Sequence, residues 1–241
     1  SHMRIVLDTV GESLDKFTST KQLVQAIRDA IIGHLLAYLS GVLHRDVSFG
    51  NVMLVHKGAV KFYGFIYDFD YSSPVDSSKL GTPLDMDERK NLRELENELK
   101  ERTGTVEFMA MELIDADTKT GVPHQAHHDL ESFFWLLVCV VLHHTYHDHR
   151  KGKDAVAEII GATTPRQARE RKETIFYRKM FTVKDNAPLS YLLKRLQLKE
   201  GPRFRNITQI PVPLTYDTML EVFDEALGME GWPEDDAAIP I

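Results

Sequence analysis

The sequence contains very little cysteine, because Cys139 is the only one among its 241 residues. A single thiol excludes a disulfide within the chain, so the fold must depend on an apolar core. The apolar fraction of 43% is sufficient for such a core in a chain of this length. We therefore expect a protein of a reducing compartment, with an intracellular location that is cytoplasmic or nuclear.

Long hydrophobic runs and an excess of positive charge are also missing. The apolar run FFWLLVCVVL at 133–142 has about half the length of a membrane span and indicates a buried helix. Lysine and arginine number 29 against 36 aspartates and glutamates, which gives a net charge of −7. We therefore expect neither nucleic acid nor a membrane as a partner.

The pattern of apolar and polar residues predicts a mainly α fold with a few short strands. Residues 19–41 predict a helix, because Ser19 and Gln22 have capping-box spacing and Gly41 can end it. The segment 129–146, which is apolar on every helical face through its run at 133–142, predicts a helix in the middle of the domain. Strands are predicted over 4–10 and around a turn at 57–58, and further helices near 154–160, 166–181, 188–199 and 216–227.

We expect one domain over residues 4–241, since no repeat or linker interrupts the chain. Residues 1–3, Ser-His-Met, are interpreted as a cloning remnant. Residues 72–103 are polar and then charged at helical spacing, which indicates an exposed insertion. The acidic tail at 228–241 is expected to be loosely ordered.

Two short stretches carry the residues that phosphoryl transfer requires. HRDVSFGN at 44–51 contains Asp46 and Asn51, and YDFDYS at 67–72 contains Asp68. The reaction needs a carboxylate to orient the attacking hydroxyl and oxygen ligands to hold Mg²⁺ on the phosphates. We expect the loop and the hairpin that ends at Asp68 to bring these three side chains together.

These stretches belong to a series of four motifs: HRDVSFGN at 44–51, YDFDYS at 67–72, GTVEFMAME at 104–112 and HHDLESFFWLL at 127–137. The first resembles the kinase catalytic loop H-R-D-x-x-x-x-N and the second resembles D-F-G. The third resembles the segment that ends in A-P-E, and the fourth resembles the start of the central helix of the large lobe. The residues in these motifs are similar to those of the fungal-type protein kinases, and the resemblance covers about residues 4–145. The resemblance implies a kinase-like α+β fold, a helical large lobe with short β-hairpins.

The resemblance also implies a serine/threonine kinase activity on a protein substrate, with ATP and Mg²⁺ as cofactors, and a role for each matching residue. Asp46 would be the catalytic base, and Asn51 and Asp68 would be the Mg²⁺ ligands. Arg45 would sense charge on the activation segment, and Asp129 would brace the catalytic loop.

Further implied roles concern the nucleotide and the substrate. Met53 would line the floor under adenine, and Thr105 would lie near the catalytic aspartate on the strip that peptide substrates follow. Glu112 would form a structural ion pair with a late arginine, either Arg195 or Arg203. The hinge that hydrogen-bonds adenine would comprise Asp8, Thr9 and Val10.

Three positions depart from the usual kinase pattern. Ser48 stands where serine/threonine kinases place a lysine that touches the transferred phosphate, and the fungal-type branch generally carries this serine. Asp70 replaces a glycine, which restricts the backbone after Asp68 and adds a second carboxylate. Met111 occupies the position of the proline in A-P-E.

Ahead of Asp46 the sequence has no G-x-G-x-x-G and no strand lysine paired with a helix glutamate. Lys61, in AVK at 59–61, follows the catalytic loop and is interpreted as a solvent-facing strand lysine. We therefore expect these 241 residues to hold the large lobe with the small lobe absent, and to be inactive alone, since positioning supplies most of the rate.

Two other interpretations are open from the sequence. A pseudokinase or isolated lobe would act as a protein-binding module, and the face left uncovered by the small lobe could then support self-association. A small-molecule phosphotransferase of the same fold would also use an aspartate and an asparagine in one loop, but such enzymes usually lack an element like GTVEFMAME.

Overall fold

The computed structural model describes residues 10–55, 61–75, 107–115, 122–159, 161–162, 164–200 and 214–240. Its helices are α1 (Thr20–Leu39), α2 (Met111–Asp115), α3 (Ala126–His144), α4 (Ala155–Ile159), α5 (Pro165–Tyr177), α6 (Ala187–Glu200) and α7 (Tyr216–Leu227). Its strands are β1 (Gly11–Ser13), β2 (Val42–Leu43), β3 (Val52–Val55), β4 (Gly64–Ile66) and β5 (Ser73–Pro74). The predicted mainly α architecture with short strands is confirmed. The predicted turn at 57–58 and most of the segments 4–10 and 72–103 lie outside the described residues.

Both ends of α1 are formed by the residues that the sequence indicated. Ser19 is the N-cap, and its Oγ accepts a hydrogen bond from the backbone N–H of Gln22 at 3.2 Å. After the helix, Gly41 has a φ of 86°, in the left-handed region where a residue with a Cβ is strained. The helix therefore ends where the backbone needs glycine.

The strands form two small antiparallel sheets that hold the loop at 44–51. One sheet has the order β1-β3-β4, and the other pairs β2 with β5. In the first sheet Val52 faces Ile66 and Leu54 faces Gly64. Helix α1 packs against β3 and β4. Because β2 precedes the loop and β3 follows it, the two sheets fix both of its ends.

Helix α3 is the centre of the apolar core. Phe133, Phe134 and Trp135 are completely buried, as the all-apolar pattern predicts. The rings of Phe134 and Trp135 lie 5.9 and 5.6 Å from the ring of Phe176 in α5. None of the helices in the described ranges combines the length and the apolar character needed to cross a membrane.

The tail after α7 contacts the start of α1 and the end of α3. Asp236 accepts hydrogen bonds from the backbone N–H of Thr20 at 3.0 Å and from Nδ2 of Asn186 at 3.1 Å. The N–H of Ile239 donates to the carbonyl oxygen of His144 at 3.0 Å. These bonds join residues far apart in the chain, and no local pattern in the sequence indicated them.

The packing of β4 on α1 gives a stability prediction at Gly64. A Cβ on Gly64 would lie 2.6 Å from the carbonyl oxygen and 2.7 Å from the Cα of Ala26. Because those are backbone atoms, Gly64→Ala should lower the free energy of unfolding by about 1–3 kcal/mol.

Gly33→Ala in α1 is the matched control, since its Cβ would meet only Ile66, at 3.8 Å. Alanine there favours the helix by about 0.5–1 kcal/mol. Equal effects of the two changes in denaturant unfolding would contradict the close approach of β4 to α1.

Candidate active site

The loop between β2 and β3 brings Asp46 and Asn51 together. Nδ2 of Asn51 donates to the backbone oxygen of Asp46 at 2.8 Å and to its carboxylate Oδ2 at 2.9 Å. The N–H of Asn51 also donates to the carbonyl oxygen of Ser48 at 3.1 Å. Ser48 and Asn51 are both buried, at 7% exposure. The five-residue spacing therefore closes a compact turn with the aspartate side chain held by the asparagine.

The second carboxylate oxygen of Asp46 has a different environment. Its Oδ1 is buried and has no hydrogen-bond partner among the described residues. A buried acceptor without a partner costs free energy, and a catalytic role is one of the explanations for such a group in native proteins. One oxygen of Asp46 is thus held by Asn51, while the other is buried and unsatisfied within the described part of the chain.

Tyr67 joins the hairpin to the loop at 44–51 through its backbone. Its N–H donates to the carbonyl oxygen of Asn51 at 3.0 Å, and its carbonyl oxygen accepts from Nε2 of His44 at 2.9 Å. Burial lowers the pKa of His44, so its ring is neutral, and Nδ1 accepts the N–H of Asp46 at 3.3 Å. The His44 ring also lies 4.6 Å from the ring of Phe69. The motif at 67–69 is therefore held directly beside the loop at 44–51.

Asp68 follows immediately and is exposed to solvent. Its φ is 62°, in the left-handed region, and its Oδ1 accepts the N–H of Asp70 at 3.4 Å. Arg45 in the loop at 44–51 has a φ of 70°. Non-glycine residues in this conformation cost free energy and are concentrated at functional sites. Each motif thus contains one residue whose left-handed backbone conformation must be stabilised by the surrounding contacts.

Asp129 in α3 is hydrogen-bonded to the backbone of the loop at 44–51. Its buried Oδ2 accepts from the N–H of Arg45 at 3.0 Å and from Nε2 of His34 at 2.7 Å, and its Oδ1 accepts from Nε2 of His124 at 2.6 Å. Burial alone would raise the pKa of Asp129, but the charges and hydrogen bonds of His124 and His34 outweigh it and hold the pKa well below its usual value. The ionised carboxylate can therefore accept all three bonds.

Tyr216 extends this network to α7. Its hydroxyl lies 2.7 Å from Nδ1 of His34. Burial raises the pKa of Tyr216, so the hydroxyl keeps its proton in its hydrogen bond with His34. The chain Tyr216–His34–Asp129 therefore connects α7 and α1 to the backbone of the loop at 44–51. The sequence indicated Asp129 but neither of its two partners along this chain.

The residues predicted to contact adenine are placed only in part. Met53 lies half-buried on β3, where it pairs with Ser13 and Phe65. Val10 is 76% exposed at the start of the described chain. Asp8 and Thr9 of the predicted hinge, and Thr105 of the predicted substrate strip, lie outside the described residues.

Glu112 lies beside two histidines at the start of α3. Its Oε2 is 3.4 Å from Nε2 of His127 and 3.3 Å from Nε2 of His128, a spacing that could suit a metal ion. Burial lowers the pKa of His128 to about 3, so its ring is neutral, and its Nδ1 accepts the N–H of Gln125 at 3.0 Å. The ring proton is therefore on Nε2, which donates to Glu112 instead of binding a metal.

The arginine predicted to pair with Glu112 is not Arg195. Arg195 lies 3.4 Å from the carboxylate of Glu225. Arg203, the other predicted partner, lies outside the described residues. The contacts with His127 and His128 anchor Glu112 to α3 in a way that the sequence pattern did not indicate.

The family model described as "Fungal protein kinase" matches residues 1–141, which include the loop at 44–51, the motif at 67–72 and most of α3. No curated protein matches the sequence.

Proposed function

Because the chain belongs to the fungal protein kinase family, we propose that it is the large lobe of a serine/threonine protein kinase that phosphorylates protein hydroxyls. The observation that carries this proposal is the environment of Asp46. One of its carboxylate oxygens is held by Asn51, and the other is buried with no partner among the described residues. An unsatisfied carboxylate oxygen can accept the proton of a substrate hydroxyl that gains access to it when the substrate binds.

Asn51 and Asp68 are proposed to hold the cation. Their oxygens are the hard ligands that Mg²⁺ prefers, and Tyr67 holds their two segments together through its backbone N–H and carbonyl. Asp68 is exposed, so its carboxylate can reach a ligand from solvent. When bound, ATP with Mg²⁺ supplies the phosphoryl group and neutralises its charge. The chain's own contribution is to position these oxygens and the base.

The site lacks a positive charge at the position of Ser48. It is buried beside Asn51 and cannot supply the positive charge that a lysine would bring to the transferred phosphate. We propose that the positive charge comes from outside the described residues, together with the phosphate-covering lobe. These 241 residues are therefore expected to bind nucleotide weakly and to transfer little phosphate alone.

The test is a titration of this chain with ATP, with and without Mg²⁺, by calorimetry. We expect Mg²⁺ to strengthen binding in the wild type, and Asp68→Asn to weaken the Mg²⁺-dependent binding by about tenfold, the scale of one lost ionic ligand. Asp154→Asn removes an exposed carboxylate from the turn at Gly152–Asp154 and is the matched control. The proposal fails if wild-type binding is indifferent to Mg²⁺, or if both variants weaken it equally. A chain that binds no nucleotide would instead favour a protein-binding module.

A further inference from the structure

The imidazole ring of His34 is fixed from both sides inside the core. His34 is completely buried in α1, and the ring of Phe133 meets it edge-on at 5.8 Å. Nε2 of His34 donates to Oδ2 of Asp129 at 2.7 Å, and Nδ1 lies 2.7 Å from the hydroxyl of Tyr216. Because both ring nitrogens are bonded, the ring cannot turn without losing a hydrogen bond in the core. Asp129 and Tyr216 therefore set the orientation of His34 jointly.

Tyr216 is the first residue of α7, and its ring has a defined place. A capping box starts the helix at this residue. The centre of the Tyr216 ring lies 5.7 Å from that of His34 and 5.8 Å from that of Tyr38. The helix start and the two neighbouring rings thus direct the hydroxyl at His34. Because Tyr216 lies beyond residues 1–141, the family match assigns no role to it.

One oxygen of Asp129 joins His34 to the loop at 44–51. Oδ2 accepts from Nε2 of His34 and also from the N–H of Arg45, at 3.0 Å. Arg45 has a φ of 70°, a left-handed conformation that costs free energy in a residue other than glycine. The hydrogen bond to Oδ2 is one of the contacts that hold it. Since Asp46 is the next residue, the backbone angles of Arg45 decide the direction of the Asp46 side chain.

We propose that Tyr216 and His34 are positioning residues which, through the carboxylate of Asp129, hold Arg45 in the conformation that directs Asp46 at its substrate. This inference rests on the proposed kinase function. The side-chain hydrogen bonds of Tyr216 and His34 go to one another and to Asp129, so their effect reaches the base only through that carboxylate. A small misplacement of a catalytic group slows the chemical step. The effect should therefore fall on phosphate transfer and leave nucleotide binding intact.

The first test is kinetic and uses the full-length protein. Tyr216→Phe removes only the hydroxyl, so the ring can still pack beside His34 and Tyr38. The single-turnover rate of phosphate transfer should fall about tenfold, while the concentrations of ATP and of protein substrate that half-saturate it change by less than about twofold. A rate within about twofold of wild type would overturn the inference.

Tyr191→Phe is the matched control for that measurement. It removes a hydroxyl that also bonds a residue of α7, because the Tyr191 hydroxyl donates to Oε2 of Glu225 at 2.7 Å in an exposed position. The bond is equivalent in kind but has no connection to Asp129. Tyr191→Phe should therefore leave both the transfer rate and the half-saturating concentrations unchanged, and a tenfold loss in this variant would also contradict the inference.

A double-mutant cycle asks whether Tyr216 acts through His34. His34→Leu fills the position with an apolar side chain and removes both ring bonds. If the two residues act along one chain, Tyr216→Phe should lower the transfer rate about tenfold in the wild type but by less than about twofold in His34→Leu. A further tenfold loss in the His34→Leu background would show that Tyr216 acts by another route and would overturn the inference.

Hydrogen exchange on this chain measures the coupling without any activity, and it decides the question if His34→Leu does not fold. In Tyr216→Phe the amide of Arg45 should exchange about tenfold faster, while the amides in the centres of α3 and α7 keep their protection. Equal acceleration throughout α1, α3 and α7 would show a purely structural role and overturn the inference, as would an unchanged Arg45 amide. If the wild-type full-length protein transfers no phosphate, the proposed function fails on that result and the positioning role falls with it, while exchange still decides whether Tyr216 holds Arg45.

Discussion

Asp46→Asn in the full-length protein is expected to reduce phosphate transfer to a protein substrate about a thousandfold, within the range of a lost general base. The amide has nearly the same shape as the carboxylate, and its oxygen can still accept the hydrogen bond from Asn51. What it loses is the charge on the buried oxygen that has no partner in the described part of the chain. The fold should therefore persist while the activity falls.

The measurement is kcat/KM with ATP and a protein substrate, beside a denaturation curve for each protein. Asp154→Asn makes the same chemical change outside the site and should keep full activity. A variant at Asp46 that retains more than about a tenth of wild-type activity would remove the assignment of Asp46 as the base. A large loss of stability in the same variant would assign the effect to folding.

The largest stability effect is expected at Asp129. Asp129→Ala should lower the free energy of unfolding by about 3–5 kcal/mol, because it leaves the buried donor of His34 and the partly buried donors of His124 and Arg45 without their acceptor. Asp224→Ala is the control, since Asp224 pairs with Arg28 at an exposed position. Exposed pairs contribute about 0–1 kcal/mol. Urea unfolding of the two variants measures the difference.

The difference in unfolding free energy between wild type and Asp129→Ala should depend on pH, and the pKa of Asp129 fixes the sign of that dependence. The folded-state pKa of Asp129 lies well below its usual value, so the stabilisation is fully present above the unfolded pKa of about 3.9. It is lost as the pH falls through the folded pKa, because the unfolded chain takes up the proton first. The gap between wild type and Asp129→Ala should therefore narrow below about pH 4. A gap that is small at pH 7, or that widens in acid, would contradict the network around Asp129.

The sequence predicted those features that depend on neighbouring residues. The ends of α1 follow from Ser19, Gln22 and Gly41, whose roles are set by backbone conformation within a few positions. The loop of Asp46 and Asn51 is equally local, since five residues separate them. Periodicity and capping were sufficient for these elements.

Contacts between distant segments could not be predicted in the same way. His34 lies on the buried face of α1, and the periodicity of the helix marks it only as a core position. Its partner Asp129 is 95 positions away, so no local pattern indicates their hydrogen bond. Lys172 lies within the highly charged stretch RQARERKE at 166–173 of α5, and nothing in that pattern separates a buried lysine from exposed ones. Only the packing of α5 on α3 shows which of these charged side chains is buried in the core.

The most direct test of the proposed site is to locate the cation itself. Mn²⁺ accepts the same oxygen ligands as Mg²⁺ and broadens the NMR signals of nearby amides. With ATP present, the strongest broadening in this chain should fall on residues 46, 51 and 68–70, and Asp68→Asn should largely remove it. Strongest broadening at Glu112, His127 and His128, or broadening at 46–70 that does not require ATP, would contradict a metal–nucleotide site formed by Asp46, Asn51 and Asp68.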